Sequence, residues 1–245
     1  MYEAVPSDAA VLGAEPGHLE MLHRFARSSP LYESSFEEVI SGERCTVYEG
    51  DINNHWLDST KHDTSYAPFY PTWIISAYLL AKTALRMGCS GMVDVGSGDG
   101  RIAYCAAVLG MNSTGIEIDP GLVSLQEKMA DSTGARFDPV IADATRYDYS
   151  AVRYESTCFA IGGLPEVGEM LAGGVMDGVS RVPRLEGSVF VLAGGRARGA
   201  RHRELSGWGP LIEKHGLHVK ETVILPTMWT VDQTEGTPYL FASAG

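Results

Sequence analysis

The chain carries the run Val93-Asp94-Val95-Gly96-Ser97-Gly98-Asp99-Gly100-Arg101, a glycine-dense turn set between an apolar strand-like segment and a helical one. Glycines in such a turn let backbone N–H groups approach a ligand closely, and the N-terminus of the following helix adds positive potential. The dinucleotide fingerprint GxGxxG has the same ingredients. This sequence departs from it at Arg101, where that fingerprint needs a small residue for tight helix packing, and reads GxGxG instead.

Two more acids follow at the ends of strand-like runs. In Gly115-Ile116-Glu117-Ile118-Asp119, Glu117 stands where a carboxylate can accept hydrogen bonds from both hydroxyls of a ribose. The competing role for Glu117, a neighbour of a helix cap, is weakened because Asp119 followed by Pro120 already makes a complete helix start. In Ile141-Ala142-Asp143-Ala144, Asp143 is suited to accept from an adenine amino group. In an open α/β sheet a ligand lies outside the carboxyl ends of the strands, so the three acids meet at one crevice.

Further candidates surround this set. Glu166, after Ile161-Gly162-Gly163-Leu164-Pro165, is either a proton acceptor or a first-turn acid favoured by the helix dipole. Tyr66, Phe69, Tyr70 and Trp73 form a dense aromatic group that either lines a channel by cation–π contact or anchors a helix entry by packing; Tyr66 and Tyr70 are the members whose hydroxyls can reach a ligand. His55, Asp58, His62 and Asp63 lack the spacing of one helical face, and Cys45, Cys89, Cys105 and Cys158 are scattered without a CxxC pair, so no metal site is expected. Arg196, Arg198, Arg201, His202 and Arg203 read as a solvated loop and helix start.

The elements that must position these residues follow from periodicity. Apolar runs at 92–95, 113–118, 139–142, 157–161 and 188–193 alternate with amphipathic stretches from residue 72 onward, the pattern of parallel βαβ units. The runs 218–225 and 239–244 have no helix between them and must therefore be antiparallel. The predicted fold is α/β: a Rossmann-like seven-stranded sheet, mostly parallel with an antiparallel C-terminal hairpin, helices on both faces, and a helical N-terminal appendage. Residues 1–64 form that appendage, a cap or lid with helical spacing at 17–26 and 35–40, and residues 65–245 form the main domain.

A chain of 245 residues with 44% hydrophobic and 20% charged residues is sufficient for one well-buried core. The net charge of −12 argues against a broad nucleic-acid-binding face. Residues 1–14 include Glu3 and Asp8 and lack a basic segment followed by an apolar one, so they do not read as a secretory leader; the most apolar segment, 73–87, is too short to span a bilayer. A cytoplasmic protein without membrane or nucleic-acid partners is expected, its oligomeric state undetermined.

The acid-glycine-acid set resembles the class I S-adenosylmethionine-dependent methyltransferases over roughly residues 66–245. Their first motif is an acid followed by GxGxG, with a ribose-binding acid after the second strand and an adenine-contacting acid after the third. The resemblance implies S-adenosyl-L-methionine as cofactor. Asp94 would position the amino group of its methionine part, over Gly96, Ser97 and Gly98; Glu117 with Ile118 would hold the ribose and Asp143 with Ala144 the adenine. Gly96 to Ile102, Gly115 to Pro120 and the pair Pro71-Thr72 look most like the Dot1-like and small prokaryotic or mitochondrial protein-lysine methyltransferases, which adds Thr72 to the cofactor set. It implies an amine acceptor, such as a protein lysine; the alternative is a small-molecule N-, O- or C-methyltransferase, and a non-catalytic binding module for S-adenosylmethionine is the further alternative. At the fourth strand the chain departs from that group, with Gly162-Gly163-Leu164-Pro165 in place of its Asn or Tyr-Leu-Pro type of loop.

Overall fold

A computed structural model of the chain describes residues 2–51, 69, 71–162, 165–193, 207–225 and 236–244, with only the backbone of 165–167. Five short apolar runs form parallel strands. They are β4 (Gly91–Val95), β5 (Asn112–Glu117), β6 (Asp138–Ile141), β7 (Thr157–Ile161) and β8 (Val189–Ala193). Strands β4, β5 and β7 are each followed by a helix. In register, Asp94 lies opposite Gly115 and Ala160, and Gly115 opposite Pro139. Two further strands, β9 (Leu217–Leu225) and β10 (Thr237–Ala244), complete a seven-stranded sheet in the order β6-β5-β4-β7-β8-β10-β9. Strand β10 runs antiparallel to both β8 and β9, as two runs without a crossover helix must.

The order reverses direction at β4, with β5 and β6 added on one side and β7 and β8 on the other. Right-handed crossovers then place helices on opposite faces of the two halves and open a crevice beyond the carboxyl ends of β4 and β7. One face is covered by α2 (Ile74–Arg86), α3 (Arg101–Val108) and α4 (Pro120–Thr133), the other by α5 (Pro165–Val179) and α6 (Gly209–Lys214). Strand alternation feeds both cores: Met92 joins the first, Val93 and Val95 the second. Among the described residues no helix is long and apolar enough to cross a membrane.

The N-terminal part corrects the expectation of a helical appendage. It holds β1 (Tyr2–Pro6), α1 (Pro16–Ser28), β2 (Ser34–Ile40) and β3 (Glu43–Glu49), the strands forming a second, antiparallel sheet in the order β1-β3-β2. The stretch 35–40, expected to be helical, is strand β2. A tight turn sets its pairing with β3: Ser41 and Gly42 both adopt positive φ, 54° and 90°, between the paired residues Ile40 and Glu43. A two-residue loop of that kind sets a hairpin whose twist matches its strands. Helix α1 does form where its spacing predicted, and Leu19, Leu22, Phe25 and Ala26 bury its apolar stripe in the same core as α2 and α3. The boundary placed near residue 64 and the group His55, Asp58, His62 and Asp63 lie outside the described residues, as does the basic cluster 196–203.

Helix α4 starts as its sequence dictates. The Asp119 carboxylate accepts from the amides of Gly121 at 2.7 Å and Leu122 at 3.4 Å, and Pro120 occupies the first helical position. An Asp119→Ala substitution is expected to lower stability by about 1 kcal/mol, read as a reduced urea midpoint at unchanged slope.

Candidate functional site

Strands β4, β5 and β6 end side by side, and each delivers an acid or a turn to the same edge. The turn after β4 is built to satisfy itself. The amides of Gly96 and Ser97 donate to the Ile116 carbonyl at 2.9 and 3.1 Å, and that of Gly100 to the Ser97 carbonyl at 2.8 Å. The Gly98 amide donates to Glu117 Oε2 at 2.8 Å, and the Arg101 amide reaches Asp99 Oδ1 at 3.4 Å. For the amides of Gly96, Ser97, Gly98 and Gly100 this corrects the expectation that the turn's N–H groups are presented to a ligand. A pyrophosphate, which such turns bind through free amides, has little to hold here.

Glutamine 126, on the buried face of α4, straps the turn from behind: its Nε2 donates to Ser97 Oγ and to the Gly98 carbonyl, both at 2.8 Å. Gly115 leaves the room, since a Cβ there would lie 2.6 Å from Gln126 Oε1. At Gly98 the backbone sits at φ 56°, and an added Cβ would fall 2.4 Å from the Phe69 ring. Phe69 thus lies against the turn, while Gly96 is exposed, and a Cβ built there would meet the Leu171 side chain at an ordinary contact distance of 3.8 Å.

Around the turn the polar groups are acceptors. Glu117 is buried, and its Oε1 takes the amides of Ile118 and Asp119 at 2.8 and 3.0 Å. Burial pushes its pKa up, the three amides opposing that shift. Among the described residues Oε2 has a single partner, Gly98 N, so a lone pair remains for a hydroxyl. Asp143 Oδ1 is held by the amide and hydroxyl of Thr145 at 2.9 and 2.7 Å, while the partner of Oδ2 among the described residues is the exposed Arg146 at 3.6 Å. The two strand ends are joined by the Ala142 amide donating to the Glu117 carbonyl at 2.8 Å. Asp94 is buried behind the turn, and desolvation, helped by Asp99 and Glu117 and opposed by the Ala103 amide and Arg101, pushes it up to about 8.

The structure therefore brings Asp94, Gly96, Ser97, Gly98, Glu117, Ile118, Asp143 and Ala144 to one edge, with Ser97 and the Ile118 amide turned to protein partners. Thr72 is part-buried at the entry to α2, and its carbonyl accepts from Arg101 Nη1 at 2.6 Å. Tyr66 and Tyr70 lie outside the described residues, and so does the side chain of Glu166, whose position in the first turn of α5 follows the sequence. Three contributors escaped the sequence reading. Gln126 had a signal, being a polar residue at the spacing of the buried stripe Val123, Met129 and Thr133. Arg101 was visible only as a departure from a fingerprint. Glu3, 98 residues away from it, had none.

No protein-family profile matches the chain, and no curated protein matches it in sequence. Solved structures do share its fold. The glycopeptide N-methyltransferase MtfA complexed with S-adenosyl-L-methionine matches with a TM-score of 0.54 at 13% identity, over 69% of this chain and 94% of that one. The magnesium protoporphyrin IX methyltransferase ChlM from Synechocystis PCC 6803, with bound SAM, matches with a TM-score of 0.52 at 13% identity, over 74% and 88%. A putative RNA methyltransferase, PH1948 from Pyrococcus horikoshii, matches with a TM-score of 0.52 at 13% identity, over 79% and 96%. The seven-stranded architecture of this chain is the Rossmann-like methyltransferase fold that these proteins have in common.

Asp94 supplies a prediction with a definite sign. Its carboxyl is raised from 3.8 in an unfolded chain to about 8 in the fold, so the folded state holds a proton that the unfolded state releases. The stability this contributes is complete below the unfolded value and is lost as pH rises to the folded one. Asp94→Asn mimics the protonated form, so its melting temperature relative to wild type is expected to climb from about pH 4 to about pH 8 and level off above. A difference that stays flat across thermal melts in that window would show the carboxylate to be ionised throughout.

Proposed function

We propose that the chain is an S-adenosylmethionine-dependent methyltransferase acting on an amine. One observation carries the reading: the amides of Gly96, Ser97, Gly98 and Gly100 donate inside the protein, while the strand ends beside them carry the carboxylates of Glu117 and Asp143 as acceptors. S-adenosylmethionine offers donors and cations along its length, in an adenine amino group, a ribose diol, a sulfonium and an ammonium, and so suits such a site; a dinucleotide phosphate does not. The fold held in common with solved methyltransferases supports the same reading.

Glu117 holds the ribose through the free lone pair on Oε2, beside Ile118, and Asp143 takes the adenine amino group beside Ala144. Gly96, Ser97 and Gly98, with Thr72, receive the methionine end, and Asp94, whose carboxyl is pushed up to about 8 by burial, gives up its proton as the ammonium arrives and pairs with it. When bound, the cofactor supplies an electrophilic methyl group on sulfur, so displacement requires an aligned neutral nucleophile more than an activating side chain. The proton leaving the amine goes to Glu166 or through it to water, and Tyr66 and Tyr70 line the acceptor's approach. Residues 1–64 close over the site and exclude water. The amine belongs to a protein lysine or to a small molecule.

Calorimetry tests the cofactor. S-adenosylmethionine and S-adenosylhomocysteine are expected to give heat with the purified chain and a nicotinamide dinucleotide none; the reverse pattern would sink the reading. Glu117→Ala is expected to weaken binding by at least about tenfold and to lower the melting temperature as well, because three buried amides lose their acceptor. Methyl-labelled cofactor incubated with the chain and cell extract separates the acceptors: label in protein bands supports lysine, label in metabolites the small molecule, and no transfer a binding module. Against an identified acceptor, Glu166→Gln is expected to reduce turnover by about a hundredfold with cofactor affinity unchanged; unaltered turnover would reduce Glu166 to a helix-start acid.

A further inference from the structure

Arg101 is almost without solvent exposure, at 2%, in a chain whose other described arginines lie nearer the surface. A buried guanidinium needs acceptors in fixed directions. Asp99 supplies a bidentate set, with Nε at 2.9 and 3.1 Å from its oxygens and Nη2 at 2.6 Å from Oδ2. Nη1 donates to the Thr72 carbonyl at 2.6 Å and to Glu3 Oε2 at 3.0 Å. The Phe25 ring of α1 lies 5.6 Å from the guanidinium carbon.

Glu3 is the other hub. It is on β1, has no exposed surface, and its two oxygens accept from the Tyr32 hydroxyl and from the amide of Ile74, the first residue of α2. Burial and the adjacent Glu3 keep the Tyr32 phenol neutral, as a donor must be. Three backbone segments are thereby tied to one buried cluster: the strand β1, the entry to α2 at Thr72 and Ile74, and the turn carrying Asp99 and Arg101. Two of those three belong to the site assigned above; the third comes from the N-terminal sheet.

Stability alone does not account for such a cluster, since buried ionic groups are often no better than apolar residues of the same volume. Direction is what it adds. Each charge-assisted bond fixes an angle as well as a distance, so the cluster sets the spacing between turn and helix entry.

Building on the methyltransferase reading, we propose that Glu3 and Arg101 are positioning residues of the cofactor site, through which the N-terminal strand holds the Gly96–Arg101 turn and the Thr72–Ile74 helix entry at the separation the cofactor requires. Docking of β1 and binding of the cofactor are then coupled, and by linkage each strengthens the other.

Hydrogen exchange on the wild-type chain reads this coupling directly. Saturating S-adenosylhomocysteine is expected to slow exchange by about fivefold or more in peptides covering 2–6 and 72–76 as well as 94–101. Protection confined to 94–101, 117–119 and 141–145 would overturn the proposal and leave the cofactor assignment standing. Absence of both heat and protection everywhere would instead overturn the cofactor assignment, and this proposal with it. In Glu3→Gln and Arg101→Met, assayed where circular dichroism shows each folded, affinity for S-adenosylhomocysteine is expected to fall about tenfold, and the double variant to fall little further because both break one link. Lowered melting temperatures with affinity unchanged would mark a role in folding alone. Should a variant not fold, the wild-type exchange pattern decides.

Discussion

The backbone amides of the turn between β4 and α3 find their acceptors in the next strand. Ile116 gives its carbonyl to two of them and Glu117 its carboxylate to a third, so β5 acts as the template on which the turn is laid. With those donors engaged, the carboxylates of Glu117 and Asp143 stand at the strand ends as acceptors, and the cofactor proposed above, which brings hydrogens and positive charge, answers that arrangement.

The same acceptor-rich setting has an electrostatic consequence behind the turn. Asp99 and Glu3 are buried against the Arg101 guanidinium, and Asp94 is buried close to Asp99 and Glu117, so buried carboxylates outnumber the one buried cation. The protein resolves this by division. Asp99 and Glu3 pair with Arg101, Glu117 accepts from three amides, and Asp94, whose one amide partner among the described residues lies at 3.4 Å, is pushed up to about 8. Gln126 adds a neutral strap where another charge could not be afforded.

The N-terminal sheet is joined to this arrangement twice over. Its helix α1 contributes Leu19, Leu22 and Phe25 to the core beneath α2 and α3, an apolar contact that fixes where the segment sits. Its first strand contributes Glu3, a polar contact that fixes how the turn and the helix entry face each other. The segment expected from its sequence to be a cap is, in its described part, packed into the core of the main domain and bonded to Arg101 through Glu3.

The alternation of apolar runs with amphipathic stretches determined the parallel sheet, its antiparallel end and the three acid-bearing strand ends, because burial on both faces and the reach of a crossover leave few other ways to pack such a pattern. Asp119 with Pro120 determined the start of α4, since capping acts over three residues and needs nothing more distant. Only the tertiary structure decided that 35–40 is a strand, where the two-residue hairpin turn and pairing with β3 outweighed helical spacing. It alone decided which way the turn's amides point, that Gln126 reaches them, and that Glu3 meets Arg101. Those outcomes depend on hydrogen bonds between residues far apart in the chain, whose partners exist only once the core has brought their backbones together.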